Sequence, residues 1–372
     1  VRLLDESPAV RFEAPRTTYA GGPAERRGTA RDGVRLLVAD AAAGVVDTRF
    51  DRIGDHLSAG DLLVVNDSAT LAGALDGVSD RHGAVVAHLA TPLDDGTWVV
   101  ELRRAPDADR SILDARPGDE IDLAAGRTVL RLEAPYPTAS SPTGAGNRLW
   151  RATWDGDPPA RTAHRYGRPI AYGYLDERYP LADHQTVFGH VPGSAEMASA
   201  ARPFTAELVT RLVARGVLIA PVTLHTGVSS QEAGEAPQPE RFVVPVATAD
   251  LVNLVRARGR RVVAVGTSAT RALESAVVDG SPGIVSAASG WTTRVVTPGH
   301  PPQVVQGLVT GWHDPGASHL LLVEAVAGEA LAQRAYGAAT RGGYLWHEFG
   351  DSSLLLPALA GAPASGATRG IS

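Results

Sequence analysis

Polar side chains stand directly behind apolar runs at four places in this chain. Asn66-Asp67-Ser68 follows Leu62-Leu63-Val64-Val65, and His225 follows Val217–Leu224. Gly266-Thr267-Ser268 follows Val262–Val265, and His313 follows Gly307–Trp312. Strand ends in an α/β sheet are where such folds hold ligands. A helix starting after Gly266 offers amide N–H groups and a positive dipole end to a carboxylate or phosphate, with the Thr267 and Ser268 hydroxyls as further donors. Equally, Thr267 or Ser268 could serve only as the helix N-cap. Asn66-Asp67-Ser68 could bind a ligand hydroxyl or amine, or close on itself as an Asx-turn. A His behind a strand, such as His225 or His313, is a general base, a donor to a ligand, or a buried structural group. Arg271 and Glu274 have the i,i+3 spacing that most often makes a surface ion pair.

Composition removes several chemistries. The chain of 372 residues has no Cys, so no disulfide framework, thiolate nucleophile or sulfur-based metal site is open to it. It also has no Lys: all 35 basic residues are Arg. That excludes a Schiff-base lysine and the P-loop lysine. The 11 histidines include no pair at ligand spacing on an evident helix, so no metal is expected. Neither a Gly-x-Ser-x-Gly elbow nor a dinucleotide-type Gly-x-Gly-x-x-Gly is present. A net charge of −6 advertises no broad basic surface. The segment Val1–Ser7 lacks the apolar core of a signal peptide, and no apolar run reaches membrane length. A cytoplasmic protein without a membrane partner is expected.

The elements that must position these residues fall into two patterns. After a Pro/Arg/Gly-rich arm, Val34–Ala39 and Asp61–Asp67 read as strands. From about 60 to 157, short β runs such as Ala84–Leu89, Trp98–Arg103 and Thr128–Glu133 alternate with turn residues, and Ser140–Gly146 reads as a loop. This predicts an inserted antiparallel β-barrel or sandwich over 60–157. From 158 to 356 helices and strands alternate, which predicts an α/β domain with a largely parallel sheet, residues 1–59 forming its N-terminal part. Thr205 and Thr248 read as N-caps, Gly216 and Gly259 as helix ends, and Leu251, Val252, Leu254 and Val255 as one inward face. Helices are expected over about 269–278 and 318–327, and residues 357–372 read as a flexible tail.

Taken in order, several segments resemble one enzyme family. They are Arg35–Val38, Gly60–Ser68, His184-Gln185-Thr186-Val187-Phe188, Gly193-Ser194, Phe204-Thr205 and Val222-Thr223-Leu224-His225-Thr226-Gly227. Val263–Ser268, Arg271–Ser275, His313-x-Pro315, Ala325-x-Ala327-Gly328 and Phe349-Gly350-Asp351-Ser352 follow. Their order and spacing are similar to those of the S-adenosylmethionine:tRNA ribosyltransferase-isomerases of queuosine synthesis. The resemblance implies an α/β domain built from both chain ends with a β-barrel inserted. It also implies S-adenosylmethionine as a ribosyl donor that releases adenine and methionine, tRNA carrying 7-aminomethyl-7-deazaguanine as acceptor, and no metal. On this resemblance Asp67, His225 and His313 are the expected catalytic residues. The expected substrate-binding residues are Asn66, Ser68, Gln185, Thr186, Ser194, Ser199, Arg202, Thr223, Gly227, Thr267, Ser268, Arg271, Glu274, Gly350 and Asp351.

Departures from the family pattern cluster. Ala69 and Ala74 stand where the family carries Arg, and Gly316 where it carries Lys. In Ala198–Phe204 the motif His is Pro203, while Ser199 keeps a hydroxyl at the Thr position. Gln238–Phe242 keeps only Glu240 of its motif, and the Tyr before Gly-Asp is Phe349. Each lost cation removes a potential contact to an RNA backbone. The sequence therefore reads as a divergent paralogue that keeps the S-adenosylmethionine pocket and changes its acceptor to a small, nucleoside-like molecule, or uses none. The alternatives are the standard tRNA-modifying enzyme and a non-catalytic nucleoside- or RNA-binding relative.

Overall fold

The computed structural model describes residues 4–13, 18–137, 146–228 and 235–359. Most of the loop expected at 140–146 and of the tail expected at 357–372 lies outside the described residues. The chain opens with β1 (Arg35–Asp40), β2 (Gly44–Arg49), β3 (Leu62–Asn66) and β4 (Ser68–Thr70). Next come β5 (Ala74–Ser79), β6 (Gly83–Pro92), β7 (Trp98–Arg104), β8 (Glu120–Leu123), β9 (Thr128–Pro135) and β10 (Leu149–Gly156). The remainder comprises α1 (Pro159–Tyr166), β11 (Val191–Ser194), α2 (Ala206–Ala214), β12 (Leu218–Leu224), β13 (Glu240–Val244) and α3 (Val246–Ala257). It ends with β14 (Val262–Val265), α4 (Thr267–Ser275), β15 (Ala288–Thr292), β16 (Gly307–Thr310), α5 (Ser318–Ala327), α6 (Glu329–Gly342) and β17 (Ser352–Leu356).

One nine-stranded sheet runs in the order β15-β13-β12-β3-β14-β16-β17-β1-β2. Its centre, β12-β3-β14-β16, is parallel, as continuous apolar strands between helices require. Antiparallel pairings of β13 and β15 at one edge and β2 at the other make the whole sheet mixed. Both chain ends join in it, because β1 pairs in parallel with β17. All five residues of β3 are buried. Their alternation feeds two cores: Leu62 and Val64 pack under α3, α4, α5 and α6, while Leu63 and Val65 pack under α2 and Phe204.

The second unit is a closed barrel, β10-β7-β6-β5-β8-β9, filled by Leu75, Val100, Leu102, Ile121, Leu130 and Trp150 among others. The expected start at 60 needs correction. Its first strand is β5, and β3 lies at the centre of the large sheet, where full burial on both faces places it.

Two helix readings change. The α3 N-cap is Pro245, and Thr248 sits inside the helix, donating its hydroxyl to Pro221 O at 2.7 Å. Proline's fixed φ starts the helix earlier than the threonine would. Leu254 is 45% exposed and leaves the inward face to Leu251, Val252 and Val255. Thr205, by contrast, caps α2 by accepting from Leu208 N at 3.1 Å. Ser318–Ala327 forms a helix with the expected bounds.

An ion network joins the barrel to the sheet. Glu101 on β7, fully buried, accepts from Arg103 Nη1 at 2.8 Å, and Arg148 Nη1 lies 3.3 Å away. Arg148 also donates to Glu235 Oε1 at 2.7 Å. Burial opposes ionisation of Glu101, yet His88, Arg148 and Arg103 hold its carboxyl down at about 2. Glu101→Ala leaves two buried guanidinium groups short of a partner. It should lower unfolding free energy in urea by about 3–5 kcal/mol. Arg49→Ala, at a partner-poor surface ion pair, should change it by under about 1 kcal/mol.

Candidate active site

A cleft of about 520 Å³ opens where the carboxyl ends of β12, β14 and β16 meet the barrel. This is the crevice an α/β sheet offers to ligands. Gly266 N-caps α4 with no side chain bonded to the first-turn amides, and Thr267 and Ser268 line the cleft. They are the first helical residues rather than caps, so the amides and dipole end remain available to an anion. Thr310–Asp314 behind β16 forms a second wall, Thr226–Val228 behind β12 a third, and Arg103 and Asp109 come from the barrel side.

The strand ends are held by one amide. Asn66, fully buried, donates to Leu224 O at 2.8 Å and Ser268 Oγ at 3.2 Å. It accepts from Leu224 N at 3.0 Å and Ser68 N at 3.1 Å. All its capacity is used inside the protein, so it orients the site and has none left for a ligand. Beside it, Ser68 Oγ lies 2.6 Å from Ser194 Oγ and 2.8 Å from His225 Nδ1, and Ser194 Oγ accepts from Thr226 N at 3.1 Å. Thr223 Oγ1 donates to Asp67 Oδ1 at 2.6 Å. Burial pushes the His225 imidazole below its ordinary value, with the Asp67 charge opposing.

The structure brings only part of the expected set to the cleft. His313, Ser199, Gly227, Thr267, Ser268 and Arg271 line it. Asp67 and His225, expected as catalytic, do not line it and sit in the hydrogen-bonded layer behind it. Asn66, Ser68, Ser194 and Thr223 share that layer. Gln185 clips β4 by accepting from Thr70 N at 3.0 Å and donating to Thr70 O at 2.8 Å, and Thr186 is buried beside it. Arg202 is buried between Glu25, 3.0 Å away, and the Phe349 ring. Glu274 is no surface partner of Arg271: its buried carboxylate accepts from the backbone N–H groups of Gln303, Val304 and Val305. Arg271 instead pairs with Glu240, which also accepts from Gly227 N at 3.0 Å. Gly350 and Asp351 build a turn. A Cβ on Gly350 would meet Leu345 O at 2.5 Å, while Asp351 accepts from Leu345 N at 2.8 Å and Arg35 N at 2.9 Å.

That turn carries residues which the sequence did not single out. His347 stacks on Tyr174 with centroids 4.4 Å apart, and Tyr174 stacks on Tyr172 at 6.4 Å. Tyr172 donates to Glu196, and Glu348 stands beside Tyr174. His313 stacks on His319 at 5.0 Å and bonds Thr310 Oγ1 at 3.0 Å. Burial, with the neighbouring His319 and His347 imidazoles, keeps His313 well below its ordinary value, so at pH 7 it is a neutral imidazole.

The family model described as queuosine biosynthesis protein matches residues 8–355. The chain belongs to this family. S-adenosylmethionine:tRNA ribosyltransferase-isomerase of Symbiobacterium thermophilum is 33% identical over 93% of this chain and 98% of its own length. The protein of that name from Novosphingobium aromaticivorans is 32% identical with the same coverage. A solved S-adenosylmethionine tRNA ribosyltransferase from Thermotoga maritima aligns with a TM-score of 0.50 at 25% identity, covering 93% of this chain and 99% of that one. The queuosine biosynthesis family is one of transferase-isomerase enzymes, as the resemblance implied, and both the mixed sheet and the barrel accord with it. Within the family motifs, Gly193-Ser194 gains a structural reason here. A Cβ on Gly193 would lie 2.3 Å from His225 Nδ1. Gly193→Ala should therefore expel the ring, break its bond to Ser68 and lower stability by about 1–3 kcal/mol. Urea denaturation, with the His225 imidazole followed by NMR, checks this.

Proposed function

We propose that this chain uses S-adenosylmethionine as a ribosyl donor, releases adenine and methionine, and serves an acceptor other than tRNA. The donor half is supported by the names of its relatives and by a cleft that contains an open helix N-terminus. In this reading the methionine carboxylate takes the first-turn amides of α4 beside Thr267 and Ser268. The sulfonium acidifies the C5′ protons, so a modest base can start the reaction. Sulfur becomes neutral as methionine departs, which makes it a good leaving group.

The acceptor half rests on the charge of the cleft. Its lining carries Asp109, Glu196, Glu240 and Asp314, together with the neutral Glu348 carboxyl, against Arg103 and Arg271. Both arginines are already engaged, Arg103 by Glu101 and Arg271 by Glu240. No other Arg lines the cleft among the described residues. Together with Ala69, Ala74 and Gly316 at formerly cationic motif positions, this disfavours a phosphate backbone and suits a small, neutral or cationic, nucleoside-like acceptor. The names of the relatives favour a second reading, ribosyl transfer to tRNA.

Incubation with S-adenosylmethionine, with and without tRNA bearing 7-aminomethyl-7-deazaguanine, separates the two. Mass analysis should find adenine and methionine in both reactions, water taking the sugar in place of the absent acceptor, and no mass gain on the RNA. Adenine that appears only with the tRNA, accompanied by ribosyl addition to it, would establish the second reading instead.

A further inference from the structure

Glu348 is the least compensated acid of the cleft. Its Oε2 is sealed from solvent and has no hydrogen-bond partner. The backbone before it is costly to hold: His347 has φ 68°, a left-handed conformation that a residue with a side chain adopts at about 1–3 kcal/mol. Gly350 and Asp351 fix the turn that imposes this geometry. Strain and an unpartnered carboxyl oxygen at one point of a ligand cleft mark a group kept for something other than folding.

No cation answers it. Glu196 adds a second negative charge nearby, Arg103 and Arg271 are bound elsewhere, and Tyr174 offers a hydroxyl. Asp314, 3.8 Å from His347 Nε2, adds a further carboxylate to the same wall. Burial, reinforced by Glu196, raises the Glu348 carboxyl to about 8, so it carries its proton at neutral pH. The adjoining rings of Tyr172, Tyr174 and His347 form a flat stack against which a planar base can lie. A protonated acid beside a flat aromatic wall has the chemistry a departing purine needs.

We propose that Glu348 is the proton donor to the purine leaving group, with the Tyr172–Tyr174–His347 stack holding the purine in place. This rests on the donor reading given above. When the C1′–N9 bond breaks, its electron pair stays on the purine, and the Glu348 proton passes to a purine nitrogen to release neutral adenine. The carboxylate left behind is reprotonated from solvent. Two protons leave, one from C5′ and one from the acceptor X–H that bonds the sugar, and the purine takes up one, so a turnover releases one proton and with it the positive charge of the sulfonium. Glu196 acts through Glu348 as a positioning residue, since its charge keeps the proton on its neighbour.

Two measurements on the full chain test this. Infrared difference spectra between wild type and Glu348→Gln at pH 7 should show a protonated carboxyl band lost in the variant. Adenine release from S-adenosylmethionine should fall above about pH 8 in the wild type. Glu348→Gln should lower kcat about 10²–10³-fold with KM little changed and should remove that limb. Glu196→Gln should move the limb to lower pH. Release at full rate from Glu348→Gln, or an ionised carboxyl at pH 7, overturns the proposal and leaves the donor reading intact. A wild type that releases no adenine in the presence or absence of tRNA overturns both.

Discussion

A side-chain amide at the end of the central strand holds the site together. Parallel strands that stop at a crevice expose backbone groups that must find partners. Asn66 supplies them for β12 and for the turn into β4, and its remaining donor goes to Ser268 at the start of α4. Being fully buried, it has no water with which to exchange these bonds. The ends of β3, β12 and α4, already aligned by the strand ladders, are therefore tied together by one residue. The Ser68–Ser194–His225 cluster extends the same scaffold to β11 and to the Thr226 wall.

Around that scaffold the cleft is electrically one-sided. Its two arginines are anchors: Arg103 joins the Glu101 network of the barrel, and Arg271 binds Glu240 and the backbone of Gln238 and Arg294. Such pairs fix walls and give little attraction to an incoming anion. The carboxylates left over, set among histidines whose burial keeps them neutral, make a site suited to positive or neutral chemistry. Among the described residues, the helix start at Thr267 is the one feature of opposite character, and it suits a single carboxylate better than a run of phosphates.

Most of the framework was legible in the sequence because it rests on local apolar pattern. Val262–Val265 and Ser318–Ala327 announce a buried strand and a buried helix by composition alone. Thr248 misled because a threonine before an apolar stripe usually caps, whereas Pro245 had already begun the helix. Arg271 and Glu274 misled because i,i+3 spacing says nothing of burial: each found a partner distant in sequence. Asn66, Asp67 and His225 were visible as polar residues behind strands, but which side of the layer faces the cleft is set by tertiary packing. Glu196, Tyr172, Tyr174 and Glu348 carried no signal, since their significance lies in being gathered from segments far apart in the chain. The neighbouring Gly350-Asp351 motif, which builds their turn, was the nearest clue.

A crystal structure of the protein with S-adenosylmethionine is the most direct test of where the donor lies. It should show the methionine carboxylate within about 3.2 Å of the Thr267 and Ser268 amides and the purine against the Tyr174 ring. An ordered ligand in the cleft with its carboxylate away from α4, or one bound elsewhere in the molecule, would contradict the assignment of this cleft as the donor site.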